Sequence, residues 1–367
     1  MKLPTTDAPN IFAFATSERS QDAVLAYMLK WASRDHKDAN PDMHKLGKKF
    51  LRALLECTQY GATSGMHFTK VSVETQKKTT KPGEGKTRAG RVDVQVEVND
   101  EICLVIEDKT HTNRHEGQIK NYAEDADTDC PDVRPIYLKT GNESLRTLKK
   151  TQEVCEDHNG GTFYRKNLLA VLPKHTGNRF IDDFRQHLDE WEKATIRFEA
   201  KKVDDWDWRA HQGYYLRLEE LLRLKRDEGW GKVDNASGGF QGFWGYFVAD
   251  NRNKCDLYFQ IHDSKDLYIR CAAWKENNDG QVSPKLRVRM FQQIQDSLSR
   301  LRNTKIRVKG PMGRVGKSTN IAQVFFDAKK QETDTTYMVL NKAGKADVKA
   351  TAQRLRDVAK LIDMSCK

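Results

Sequence analysis

The sequence predicts a mixed α/β domain followed by an α+β domain, and three patterns carry that reading. Two stretches with helical spacing precede the first strands, strands and helices then alternate to about residue 195, and strand signals return in a run after residue 240. Residues 17–33 place Ala23, Val24, Tyr27 and Leu29 to Trp31 at helical spacing, with Ser17 as the N-cap. Residues 43–58 repeat the pattern with Leu46, Phe50, Leu54 and Leu55. Alternation marks strands at 67–75 and 91–98, the second with Val92, Val94, Val96 and Val98 on one face. An apolar strand at 101–110 ends in charge, and Asn99-Asp100 between these two strands signals a hairpin. A helix over 113–126, a strand over 134–140 and helices over 143–156 and 179–193 complete a first domain of residues 1–195. The polar stretch 196–240, with Trp206, Trp208 and Trp230, reads as a connecting segment. A second domain, 241–367, follows as a strand meander, a helix at 285–302, strands at 304–309 and 320–327, and a terminal helix at 346–363.

Composition excludes several classes. The 367 residues suggest two domains of roughly 150 residues each. Hydrophobic residues at 38% and charged residues at 31% lie far from a disordered composition. No apolar run approaches the ~18 residues of a transmembrane helix, and the first residues lack the pattern of a signal peptide. Seven scattered cysteines imply free thiols and a cytoplasmic protein. The net charge of +11 is unevenly spread: residues 1–250 carry 39 Lys and Arg against 40 Asp and Glu, residues 251–367 carry 24 against 12. The C-terminal third therefore points to a polyanion. One local exception, Lys77 to Arg91, holds six cations and one acid, with Pro82, Gly83, Gly85 and Gly90 marking a loop. It reads either as a solvated loop or as a phosphate-tracking arm.

The chemistry concentrates in the hairpin. If a three-residue loop at 99–101 joins its strands, Val98 faces Ile102 and Asp93 lies opposite Glu107. Their Cβ atoms would be about 4.5–5.5 Å apart, and two facing carboxylates repel unless a cation lies between them. Lys109 projects on the same face, and Arg91 would sit opposite it. Such a group suits a hard divalent cation such as Mg²⁺, which takes carboxylate and phosphate oxygens. Bound water there loses a proton more readily, so metal-assisted phosphodiester hydrolysis is the expected reaction. The competing readings are an exposed polar edge and a surface Glu107–Lys109 ion pair.

Asp93, Glu107, Asp108 and Lys109, spaced as Asp-x13-Glu-x-Lys across a hairpin, resemble the active site of the PD-(D/E)XK nuclease superfamily. Gln118 and Tyr122, an i,i+4 pair in the next helix, are similar to the Gln-x-x-x-Tyr motif of its exonuclease-like branch. Glu18 stands where that branch commonly places an acid of the first helix, with Asp22 one turn on as its rival. The resemblance covers about residues 1–175 and departs at Val92, where the family has Pro. It implies a restriction-endonuclease-like mixed sheet flanked by helices, and a nuclease dependent on Mg²⁺ or Mn²⁺, with DNA preferred to RNA. Asp93 and Glu107 would ligate the metal with Glu18 and the Asp108 carbonyl, Lys109 would orient the water, and Gln118 and Tyr122 would position the strand. Lys77, Lys78, Lys86, Arg88 and Arg91 would then form a substrate arm, and Arg314 and Lys317 would contact phosphate from the second domain. There Trp244, Tyr246, Phe247 and Tyr258 could stack on bases, although a core role suits most of them better. The alternative is a nucleic-acid-binding or partner-binding module with little catalysis. The second domain could also serve a protein partner or a second copy of the chain.

Other motifs fail on spacing. The 310–319 stretch has Pro311 where a phosphate loop needs Gly, and a strand follows it. His111 and His115 have no third ligand for zinc, and no Cys-x-x-Cys exists for an iron–sulfur cluster.

Overall fold

The computed structural model describes residues 9–61, 63, 65–82, 89–111, 117–126, 128–225, 228–233, 239–262, 266–276, 278–301, 305–311, 313–326 and 337–367. Two compact units result, one of Met1–Asn142 with Thr147–Lys193, the other of Glu143–Arg146 with Ala194–Lys367.

In the first unit, α1 (Glu18–Lys30) starts where Ser17 accepts a hydrogen bond from the Ser20 N–H at 3.3 Å. Asn40 caps α2 (Pro41–Cys57), with Pro41 in the first turn. Both helices bury their apolar stripes, including Val24, Leu25, Met28, Phe50 and Leu54. They cross at Gly47, where a Cβ would lie 2.6 Å from the Ala32 backbone nitrogen and 2.7 Å from the Met28 carbonyl oxygen.

The sheet follows in the order β1 (Val71–Pro82), β2 (Ala89–Val98), β3 (Ile102–Lys109), β4 (Asp132–Lys139) and β5 (Gly161–Tyr164). Pairing is antiparallel from β1 to β3 and parallel from β3 to β5. α3 (Gln118–Asp125) links β3 to β4, and α4 (Leu145–Glu156) links β4 to β5. α5 (Arg165–Val171) and α6 (Arg179–Ile196) complete the helices. Val94, Val96, Val98, Ile102, Leu104 and Ile106 join the main core with α1 and α2. On the opposite face Cys103 and Val105 pack with Tyr122 of α3.

The hairpin turn forms as expected. Asn99 and Asp100 both take positive φ, +55° and +59°, which Asn and Asp tolerate best among residues with side chains. Val98 consequently pairs with Ile102. Two expectations need correction. Residues 77–82 are strand, not loop: Lys77 pairs with Val92 and Lys78 with Arg91, and the Gly90 N–H donates to Thr79 Oγ1 at 2.9 Å. Val92 does not share the face of Val94 but packs with Cys103, Val105 and Tyr122. Alternation breaks at Asp93, opposite Gln76, whose φ of +54° twists β1 locally. Lys86, Arg88 and His115 lie outside the described residues.

The second unit holds α7 (Trp208–Leu222), β6 (Gly229–Val233), β7 (Phe240–Asp250), β8 (Cys255–His262), β9 (Asp266–Ala273), α8 (Pro284–Arg300), β10 (Arg307–Lys309), β11 (Ser318–Phe325) and α9 (Val348–Cys366). Its antiparallel sheet runs β10-β11-β9-β8-β7-β6. Residues 196–240 are therefore not a connecting segment. Tyr214, Tyr215, Leu218 and Leu222 of α7 are core, and Gly213 lets the helix approach, since a Cβ there would meet the Thr195 carbonyl oxygen at 1.8 Å. The segment after Lys317 is β11, a strand and not the helix that a phosphate loop opens. All seven cysteines are free. Among the described residues no helix is long and apolar enough to cross a membrane.

The Gly47 contact is testable. Gly47→Ala should cost about 1–3 kcal/mol as an overpacked crossing, seen as a lower melting temperature, and an unchanged melting curve would contradict the close approach.

Candidate active site

The site forms where two strands part. β2 and β3 pair from Val98↔Ile102 to Val94↔Ile106, and no further. Beyond that point β2 continues along β1, while β3 continues along β4 through Glu107↔Tyr137 and Lys109↔Lys139. Side chains satisfy backbone groups at this fork. Asp93 Oδ2 accepts from the Asp108 N–H at 3.0 Å, and the Tyr122 hydroxyl donates to the Arg91 carbonyl at 2.6 Å. Asp93 is thus wedged at the fork and not paired across a regular ladder, and Arg91 sits beside Lys78 and not opposite Lys109.

Glu107, Asp108 and Lys109 then fall on alternate sides of β3. Toward α3, the fully buried Glu107 makes an ion pair with Lys109, whose Nζ is also 3.4 Å from Asp93 Oδ2. Gln118 Nε2 donates to the Tyr122 hydroxyl at 2.8 Å, and that hydroxyl also lies against Glu107. The predicted group Asp93, Glu107, Lys109, Gln118 and Tyr122 is therefore brought together. Toward α1, Asp108 accepts from Gln21 Nε2 at 2.5 Å and faces Asp22. Gln76 Nε2 bridges Asp22 Oδ2 at 3.2 Å and Asp93 Oδ1 at 3.1 Å.

Glu18 does not take the place expected of it. Its Oε1 accepts from the Thr110 N–H at 2.9 Å and the His111 N–H at 3.2 Å, tying the end of β3 to α1. Asp22, one helical turn further in, is the acid that faces Asp93 and Asp108. Gln76 and Gln21 had no sequence signal, because a lone Gln acquires meaning only from its neighbours. Lys77 is held by Glu74 at 3.3 Å and Glu97 at 3.9 Å. Lys78 and Arg91 are exposed, as are Arg314 and Lys317 in the second unit.

Four carboxyl groups thus crowd the fork, and the one ammonium, Lys109, meets two of them, Glu107 and Asp93. Burial, with the Asp93 charge beside it, pushes Glu107 up to about 7. Burial and Asp93 do the same to Asp22, also to about 7. Burial and then Asp22 raise Asp108 well above the usual carboxylate range. Burial alone would lower Lys109, but Glu107 and Asp93 outweigh it and leave the ammonium more firmly protonated. Among the described residues no three Asp, Glu, His or Cys side chains converge closely enough to hold a metal as they stand. The donor chemistry nevertheless suits a hard divalent cation. Every acid offers oxygen, Asp22 Oδ1 and Asp108 Oδ2 are buried without a hydrogen-bond donor, and the buried Glu107 carboxyl is met by Lys109 and Tyr122.

A mixed five-strand sheet with acids and a lysine at a strand fork, flanked by helices, has the form of a restriction-endonuclease-like nuclease core. A sequence model of the PD-(D/E)XK nuclease superfamily matches residues 9–202, and the chain belongs to that superfamily. Its members are nucleases, hydrolases that generally use divalent metal ions. No curated protein and no solved structure matches the chain.

The acid cluster makes stability depend on pH in a stated direction. A carboxyl whose folded pKa lies near 7 binds its proton more tightly folded than unfolded, so stability falls as pH rises from about 4 to 7 and stays low above that. Without divalent metal, Asp22→Asn should raise the melting temperature at pH 8 by roughly 2–8 °C and change it little at pH 4. Equal melting of both proteins at pH 8 would count against the crowded carboxyls.

Proposed function

We propose that this protein is a metal-dependent nuclease that hydrolyses phosphodiester bonds, with DNA as the expected substrate. The observation that carries the reading is the convergence of Asp93, Glu107 and Lys109 at the fork, with Lys109 Nζ on Glu107 and 3.4 Å from Asp93 Oδ2. Asp93 and Glu107, with Asp22 in the place expected for Glu18 and with the Asp108 carbonyl, are the residues that would hold Mg²⁺ or Mn²⁺. The metal would supply Lewis-acid charge and a water of lowered pKa.

The chain's own groups supply the rest. The Lys109 ammonium hydrogen-bonds the attacking water and stabilises charge that develops on the phosphate. Gln118 donates to the Tyr122 hydroxyl and that hydroxyl donates to the Arg91 carbonyl, so the pair holds the Tyr122 ring beside Glu107 and positions the strand. Lys78 and Arg91, exposed and directly paired across β1 and β2, are suited to a substrate phosphate, as are the exposed Arg314 and Lys317. Lys86 and Arg88 belong to the same basic stretch. Seven free thiols suit action in the cytoplasm.

The test is a cleavage assay of the full chain on linear and supercoiled duplex DNA, single-stranded DNA and RNA, with Mg²⁺ or EDTA. Glu107→Ala and Lys109→Ala should each slow cleavage by about a hundredfold or more, with folding checked by circular dichroism. Cleavage that persists in EDTA or in both variants would overturn the reading. Binding without cleavage in every condition would favour a binding module.

A further inference from the structure

The second unit's sheet has two unlike faces. The helices α7, α8 and α9 share a core with one face, through residues such as Leu257, Phe259, Leu267 and Ile269. The register places a different set on the other. Lys309, Gln323, Tyr268, Gln260 and Trp244 form one row across five strands. Asn320, Arg270 and Tyr258 form the next.

We propose that this outer face is a platform for single-stranded nucleic acid, on which bases stack on aromatic rings while Arg270 and Lys309 meet phosphates. The choice of ligand rests on the nuclease reading above. Two rings of this face already stack on each other, the buried Tyr258 and the half-buried Phe247. Phe247 and Tyr258 are parallel, with centroids 4.4 Å apart and planes at 13°. The Trp244 ring passes over Gly231, 3.6 Å from where a Cβ would be. The Arg270 guanidinium lies over Tyr258 at 5.9 Å, so one side chain can offer both a cation and a flat surface. Trp244, Phe247, Tyr268 and Arg270 are half-buried, and Lys309 is exposed. Arg270 Nη1 and Nη2 donate to Gln260 Oε1 and to the Ser318 carbonyl, while its Nε and Asn320 Oδ1, neighbours in the register, are buried in this face without a hydrogen-bond partner. Charge favours the same ligand, with 24 Lys and Arg against 12 Asp and Glu over residues 251–367. Flat rings on a sheet read unstacked bases, whose faces a duplex covers, so a single strand fits and a duplex does not. The row also divides the aromatics of this segment: Tyr246 packs against the core with Phe259 at 5.7 Å, while Trp244, Phe247 and Tyr258 belong to the outer face.

The experiment is fluorescence anisotropy of the full chain in EDTA, with labelled oligo-dT, oligo-rU and a duplex DNA of equal length. Tighter binding of either single strand than of duplex is expected, and the dT and rU arms separate DNA from RNA. Trp244→Leu with Tyr268→Leu should weaken single-strand binding by at least about tenfold while melting like the parent chain. Equal or tighter duplex binding, or ring variants that bind like the parent, would overturn the platform. A second measurement needs no variant: photocrosslinking of 5-iodouracil oligonucleotide should label peptides within residues 240–274, and labelling confined to residues 9–142 would overturn it. Because binding is read in EDTA, a chain that fails to cleave still tests the platform.

Discussion

The parting of β2 from β3 at Val94↔Ile106 is the constraint on which the rest of the first unit depends. A regular ladder carried past this point would have left two carboxylates side by side with nothing between them. The fork instead puts Asp93 where a backbone acceptor would stand, and its carboxylate receives the Asp108 N–H. Tyr122 answers the Arg91 carbonyl on the other limb. Backbone satisfaction and site assembly are therefore the same set of hydrogen bonds, so a change to Asp93 or Tyr122 reaches both.

The electrostatics follow from that geometry. Because β3 is central in the sheet, Glu107 and Asp108 are buried on opposite sides of it, one toward α3 and the other toward α1. Each is too poorly solvated to ionise easily, and Asp93 at the fork repels both. Lys109 relieves one side, while Gln21 and Gln76 offer only dipoles to the other. Such an arrangement is costly in an apolar unit and is tolerated where a cation and a polyanionic substrate restore the balance. The extensive core built on α1 and α2 in the same unit offsets that cost.

Much of this was legible beforehand, for local reasons. The helix at Ser17 and the turn at Asn99-Asp100 depend on residues within a few positions of each other. The spacing from Asp93 to Glu107 and from Gln118 to Tyr122 needs only strand and helix periodicity. What stayed hidden was set by distant partners. α7 looked like a polar linker because its Trp and Gly residues obscure the stripe of Tyr214, Tyr215, Leu218 and Leu222. Lys77 looked like part of a free arm because its strand partner Val92 and its second acid Glu97 both lie one strand away.

The sequence by itself determined the order of the main elements, the hairpin register and which residue types could carry metal-assisted hydrolysis, because these follow from neighbours along the chain. Only the tertiary structure decided that Asp22 and not Glu18 faces Asp93. Both acids are on the first helix, one turn apart, and the choice is made by which of them meets the Thr110 and His111 amides at the end of β3. Only the tertiary structure, likewise, separated Trp244 from Tyr246. A strand's faces alternate in sequence, but the left-handed Tyr246 resets that alternation, and the sheet's pairing shows where.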